Sequence, residues 1–194
     1  MRLYHYEKVN GSAFGEALID YLTRIGKEVP ESLLKGISPE MRKSEHGKPY
    51  FSGSELCEIF FSRSHTNETE VVCFAENEVG VDCEDLKWRS SQPGRIRQYE
   101  KIAKRHFTED EQEYIAFGEP LDKERFFDVW TAKEAYTKYT GKGFSEGFQS
   151  FSVFNRPDVR IITNRLEGAQ HIVCSICTSL DEMPIDSLVG NRGQ

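Results

Sequence analysis

One stretch of eighteen residues limits the folds open to this chain more than any other. It runs Phe126-Phe127-Asp128-Val129-Trp130-Thr131-Ala132-Lys133-Glu134-Ala135-Tyr136-Thr137-Lys138-Tyr139-Thr140-Gly141-Lys142-Gly143. Phe126, Val129, Lys133, Tyr136 and the stem of Thr140 follow three-and-four spacing, which predicts a single amphipathic helix. Asp122 is placed to cap its start, and the glycines at 141 and 143 stop it. Trp130, Glu134 and Lys138 lie one turn apart on a neighbouring stripe. A carboxylate flanked by lysines on a half-buried helix can hold a metal or accept a proton while the ammonium groups meet phosphate. The same spacing also serves an exposed ion pair contributing about 0.3–0.5 kcal/mol. Only the rest of the chain can decide between the two.

Upstream, alternation from Arg2 to Val9 predicts an opening strand. Ser12 can cap a helix from Ala13 to about Ile25, ended by Gly26. Pro30 and Pro39 bracket a short helical piece around Leu33, Leu34 and Ile37. Gly47-Lys48-Pro49-Tyr50-Phe51 predicts a tight extended turn, because Pro49 biases Lys48 away from helix. Strands are expected at Ile59–Ser62, Val71–Ala75 and Val79–Asp85, the first two joined by a polar loop over Arg63–Glu70. Ser90-Ser91-Gln92-Pro93-Gly94 is the clearest break in the chain. A basic helix to about Arg105 follows, then a second helix with Thr108 and Glu111 in a capping box. After Gly143 the period switches to two, predicting strands at Phe148–Phe154, Val159–Thr163 and His171–Thr178. The tail from Asp181 is polar and expected to fray. This gives an α+β chain with an N-terminal lobe over 1–90, a C-terminal lobe over 91–180 and a flexible tail over 181–194.

Composition excludes several function classes. With 194 residues, 38% of them hydrophobic, and thirteen Phe and eight Tyr, the chain is globular. No apolar run approaches the roughly 18 residues of a membrane span, and the first residues lack the apolar core of a signal peptide. A cytoplasmic protein with no membrane partner is expected. The five cysteines, an odd number, point to reduced thiols, and Cys174-Ser175-Ile176-Cys177 lies in a predicted strand with no second pair. The net charge of −7 argues against a nucleic-acid partner. Lys87, Arg89, Arg95, Arg97, Lys101, Lys104 and Arg105 nevertheless cluster around one acid, Glu100. Such a segment suits either an acidic partner or a phosphorylated ligand, and it also suits a plain solvated helix face.

Asp82 and Glu84 are two apart on a strand, so both side chains leave one face. Paired carboxylates are costly without a cation or water, and magnesium accepts one or two carboxylates while keeping room for phosphate oxygens. A solvated strand end would look the same. Ser64-His65 after a strand and Lys48 beside Pro49 are each common as surface or turn residues. Together, a lysine, a Ser-His pair, two acids and a Lys-Glu-x3-Lys helix supply the parts of a magnesium-dependent phosphoryl-type transfer.

The order and wording of these blocks, Gly47-Lys48-Pro49, Ser64-His65, Gly80-Val81-Asp82-Cys83-Glu84 and Trp130 to Gly143, resemble the Sfp-type 4′-phosphopantetheinyl transferase superfamily. The two long blocks stand about 45 residues apart, and the resemblance covers roughly 47 to 154. It implies a fold of two similar lobes, with antiparallel sheets packed by helices, related by a pseudo-two-fold around an interlobe cleft. It implies transfer of the phosphopantetheine arm of coenzyme A to a serine of an apo acyl or peptidyl carrier protein, releasing adenosine 3′,5′-bisphosphate. By the same resemblance, Asp82, Glu84 and Glu134 are the expected magnesium ligands, and Glu134 also activates the carrier serine. Lys138, with Lys133, would meet the pyrophosphate of coenzyme A. Lys48, Pro49, Ser64 and His65 would hold its nucleotide end, with Arg42 and Lys43 as further candidates. The basic segment would dock an acidic carrier, and a monomer is expected. Cys83 between the acids and Ser62 before the Ser-His block depart from the family wording. A non-catalytic coenzyme-A-binding relative and an unrelated magnesium-dependent phosphohydrolase are the alternatives.

Overall fold

A computed structural model describes residues 1–7, 13–87, 95–118, 120–143 and 147–182, with the backbone of 189–190. Sheet 1 has the order β4-β5-β1-β9, built from β1 (Arg2–Glu7), β4 (Phe60–His65), β5 (Thr69–Ala75) and β9 (Val189–Gly190). Sheet 2 has the order β6-β8-β7, built from β6 (Val79–Asp85), β7 (Val159–Leu166) and β8 (Ala169–Ser179), all antiparallel. A ribbon of β2 (Met41–Lys43) and β3 (Pro49–Phe51) stands apart. The helices are α1 (Ala13–Arg24), α2 (Glu31–Leu34), α3 (Ile96–His106), α4 (Glu109–Tyr114) and α5 (Lys123–Thr140). This is the expected α+β class with antiparallel sheets packed by helices.

Strand alternation sets the layers. On β5, Val72 and Phe74 face α1, where they join Tyr4, Leu18, Tyr21, Leu22 and Phe61. Val71, Cys73 and Ala75 face the other way and meet Val79, Val81, Cys83, Cys174 and Ile176 of sheet 2. The remaining face of sheet 2 carries α5. The order is therefore helix, sheet, sheet, helix, with both strands β5 and β6 buried on two faces. Cys174 points between the sheets and Cys177 toward α5, so the two thiols sit on opposite faces of one strand. Burial pushes the Cys177 thiol up to about 12, as expected of structural cysteines.

The sequence rules for helix ends hold. Asp122 accepts hydrogen bonds from the backbone of Glu124 and Arg125 at 3.0 and 3.1 Å. Gly141 closes α5 with φ +66°, a conformation that disfavours any residue with a Cβ. Glu111 reaches back to the Thr108 amide at 2.8 Å. The predicted cap at Ser12 and the break at Ser90–Gly94 lie outside the described residues.

Several expectations need correction. The segment Arg63–Glu70 is not a loop: β4 runs through His65 and β5 starts at Thr69, leaving a tight turn closed by the Thr66 amide on the Thr69 carbonyl at 2.8 Å. The predicted strand at Phe148–Phe154 is a short 3-10 turn, Phe148–Ser150, followed by irregular chain. Phe148 and Phe151, three residues apart, pack on α5 without a ladder partner. Strand β6 precedes the expected boundary at 90, yet it pairs with β8 in sheet 2. Of residues 181–194 only 181–182 and the backbone of 189–190 are described: Glu182 accepts from Asn77 at 2.8 Å, and Val189–Gly190 pairs with Tyr4 and His5. Finally, α5 is buried nearly all round, because sheet 2 covers one side and α3 with the 147–153 segment covers another.

Candidate active site

The site is built where α5 crosses β6. Residues Gly80, Asp82 and Glu84 share the face of β6 that looks at α5, while Val79, Val81 and Cys83 go into the core between the sheets. A Cβ on Gly80 would stand 1.9 Å from the Ala135 carbonyl oxygen and 2.4 Å from the Tyr139 amide nitrogen. Only glycine lets the two backbones approach this closely, so Gly80 sets the distance between the strand acids and the helix.

Asp82 is 7% exposed. One of its oxygens accepts from Lys138 Nζ at 2.7 Å and from Ser64 Oγ at 2.8 Å. Ser64, at the end of β4, reaches the site because Ser62 on the same face accepts the Val81 amide at 3.0 Å. That bond ties sheet 1 to the free edge of β6. Glu134 sits one turn before Lys138, half-buried. Loss of hydration, and then the negative charge of Asp82, push its carboxyl up to about 7; Lys138 opposes this and Glu84 adds to it. Four groups from β6 and α5 thus feel one another, with a surplus of negative charge at Glu134.

Among the described residues, no three His, Cys, Asp or Glu side chains stand as a ready metal cage. Lys138 occupies a cation's place beside Asp82. The donor chemistry still suits a hard divalent ion, since Asp82, Glu84 and Glu134 offer only oxygen. The raised Glu134 carboxyl marks the charge that such an ion would neutralise.

The other sequence-predicted residues fare differently. Lys133, expected at the pyrophosphate, is not at this edge. It is fully buried, and its three donors go to Glu111 Oε2 at 2.8 Å and to the Phe148 and Phe151 carbonyls at 2.7 Å each. No donor is left for a ligand. Lys48 bonds Glu78 and the carbonyls of Val79 and Tyr139, the latter two at 3.1 and 3.2 Å, which pins the ribbon turn against the end of α5. Pro49 opens β3 half-buried, and His65 is exposed on the last residue of β4. Arg42 and Lys43 are exposed on β2.

Sequence reasoning missed Glu111 as the partner of Lys133, and missed the hydroxyl ladder in which Ser175 Oγ lies 2.7 Å from Thr131 Oγ1 and 2.8 Å from Thr163 Oγ1. One signal was present: Lys133 fell on the apolar stripe of the helix, where an unpaired ammonium would not be tolerated. The ladder left no trace in the sequence, because it joins three elements far apart along the chain.

A fold in which a glycine strand brings paired acids against a Lys-Glu helix defines a recognisable class, and comparison with known proteins agrees. The profile of the 4'-phosphopantetheinyl transferase superfamily matches residues 78–185. A 4'-phosphopantetheinyl transferase of Bacillus subtilis is 30% identical over 181 residues, covering 91% of this chain and 71% of that protein. The 4'-phosphopantetheinyl transferase gsp of Aneurinibacillus migulanus is 28% identical, covering 91% and 73%. The 4'-phosphopantetheinyl transferase Sfp of Bacillus subtilis (strain 168) is 27% identical over 153 residues, covering 78% and 61%. This chain belongs to the 4'-phosphopantetheinyl transferase superfamily. No helix among its described residues is long and apolar enough to cross a membrane.

Proposed function

We propose that this protein transfers the 4′-phosphopantetheine arm of coenzyme A to a serine of an apo acyl or peptidyl carrier protein and releases adenosine 3′,5′-bisphosphate. The observation that carries the reading is the edge itself: Asp82 and Glu84 of β6 against Glu134 and Lys138 of α5, with Glu134 held near neutrality. Asp82, Glu84 and Glu134 would hold a magnesium ion, which supplies charge neutralisation for the pyrophosphate when bound.

The chain's own residues then divide the work. The nucleophile belongs to the partner, so the enzyme needs no reactive Ser or Cys of its own; its tasks are positioning and charge. Glu134 takes the proton of the carrier serine hydroxyl, directly or through water. Lys138 leaves Asp82 for the phosphate oxygens and steadies the charge that develops on the departing bisphosphate. Ser64 keeps Asp82 oriented as Lys138 moves. Ser64, His65 and Pro49 would receive the nucleotide end, with Lys48 joining them only by giving up one of its bonds to Glu78, Val79 and Tyr139. The exposed cations of α3, Arg97, Lys101, Lys104 and Arg105, offer a face to an acidic carrier.

The test is direct. The protein is incubated with apo-carrier, coenzyme A and magnesium, and the carrier is weighed by mass spectrometry. The expected result is a gain of one phosphopantetheine on the carrier serine. No gain on any of several acyl and peptidyl carriers would overturn the reading. A protein that binds coenzyme A yet modifies nothing would favour the regulatory alternative.

A further inference from the structure

Lys133 and Glu134 are neighbours in sequence and point to opposite sides of α5. Glu134 faces the acids of β6. The Lys133 ammonium instead organises the opposite side. It donates to the Phe148 and Phe151 carbonyls, lies 4.4 Å from the Phe151 ring centroid and pairs with Glu111, both partners fully buried. Glu111 completes the knot by accepting the Thr108 amide and the Val153 amide, each at 2.8 Å. One ammonium and one carboxylate thereby bind α5, the start of α4 and the 147–153 segment.

That segment reaches on to the basic helix. The Phe148 ring meets the His106 ring edge-on at 5.8 Å, and Gln149 Nε2 donates to the Lys104 carbonyl at 3.1 Å. Both contacts fall on the last turn of α3, whose outer face carries Arg97, Lys101, Lys104 and Arg105. The opposite face packs on α5 through Tyr99, 4.9 Å from Phe126 and 5.2 Å from Phe127. The helix is therefore held in two places. Tyr99, Ala103 and, at its end, Phe107 rest on Phe126 and Phe127 of α5, and its last turn is tied in addition to a segment whose own carbonyls are fixed by Lys133.

We infer that Lys133 is a positioning residue that sets the pose of basic helix α3 against the acidic edge of α5, acting through the 147–153 segment. It touches no substrate. The inference deepens the transfer reading, on which it rests for the identity of an acidic protein as the partner on α3. Docking geometry and the reacting carboxylate are then set from adjacent residues of one helix, so a carrier held by α3 arrives in register with Glu134.

The experiment combines hydrogen exchange with kinetics on two variants. Lys133→Met removes the knot. Gln149→Ala, an exposed residue, cuts only the tie to Lys104 and leaves the core intact, so it carries the test should Lys133→Met fail to fold. In Gln149→Ala, amides of α3 and of 147–153 are expected to exchange at least about tenfold faster with β6 unchanged, and in Lys133→Met to accelerate at least about tenfold more than those of β6. The KM for the carrier should rise about threefold to tenfold for Lys133→Met and about twofold for Gln149→Ala, with kcat and coenzyme A affinity held. Unchanged exchange in α3, or exchange that rises uniformly through β6 as well, would overturn the inference. So would a loosened α3 with an unchanged carrier KM. Should the wild-type protein modify no carrier, the transfer reading falls, and the exchange pattern alone decides whether Lys133 governs α3.

Discussion

Helix α5 carries two lysine–carboxylate pairs of opposite kinds. On one side Lys133 meets Glu111 with both side chains at 0% exposure, and every donor and acceptor is matched. On the other, Lys138 meets Asp82 at 30% and 10% exposure, one turn from Glu134, whose carboxyl is pushed up by burial and then by the Asp82 charge. The first pair is complete and closed to solvent. Burial lowers the pKa of Lys133 while Glu111 opposes the fall. The second is incomplete and open. A satisfied buried pair holds elements together, whereas an unbalanced, accessible one is suited to binding a cation and phosphate.

The sharpest way to break this comparison is to remove the unbalanced charge. Glu134→Gln keeps the shape of the side chain and should lower transfer by at least about 1,000-fold, measured by carrier mass shift, with circular dichroism unchanged. Retained transfer would mean that the open side of α5 is not the reacting edge.

A second test removes the clearance between the two sides' supports. Gly80→Ala forces β6 from α5, since the new methyl would lie 1.9 Å from a backbone oxygen that cannot rotate away. A loss of about 3 kcal/mol or more is expected in urea unfolding, with transfer falling in parallel.

The third compares the lysines directly. Lys133→Met leaves Glu111 buried without its cation and should cost about 3–5 kcal/mol. Lys138→Met, at a partly exposed pair, should cost under about 1 kcal/mol yet reduce transfer the more strongly of the two. Equal stability losses would erase the distinction.

The fourth is titration without magnesium. The folded Glu134 carboxyl is raised to about 7 from 4.5, so between these values the native state binds more protons than the unfolded state. Stability is then greatest below about pH 4.5 in this contribution and falls as pH rises toward 7, by on the order of 2 kcal/mol. Glu134→Gln should flatten that slope and raise the melting temperature at pH 8, and magnesium should do the same for the wild type. The smallest effect concerns docking: reversing Arg97, Lys101 and Lys104 to Glu should raise the carrier KM about tenfold, more at low salt, with coenzyme A binding unchanged.

Local chemistry in the chain determined much of this molecule. The Asp122 cap, the Gly141 stop and the Thr108–Glu111 box depend on residues within a turn of one another, so spacing alone located them. Strand alternation likewise placed Asp82 with Glu84, because a period of two leaves no freedom over which face they share. What lay beyond reach was everything joining distant elements. No local rule tells that Gly80 lies under Ala135, that β6 joins sheet 2, or that Ser64 extends a strand to meet Asp82. The fate of the two lysines five residues apart on α5 was decided in the same way. Both carry the same charge, and only the packing of α4 and the 147–153 segment around Lys133, against the open edge of β6 beside Lys138, made one a buried tie and the other a partly exposed partner of Asp82.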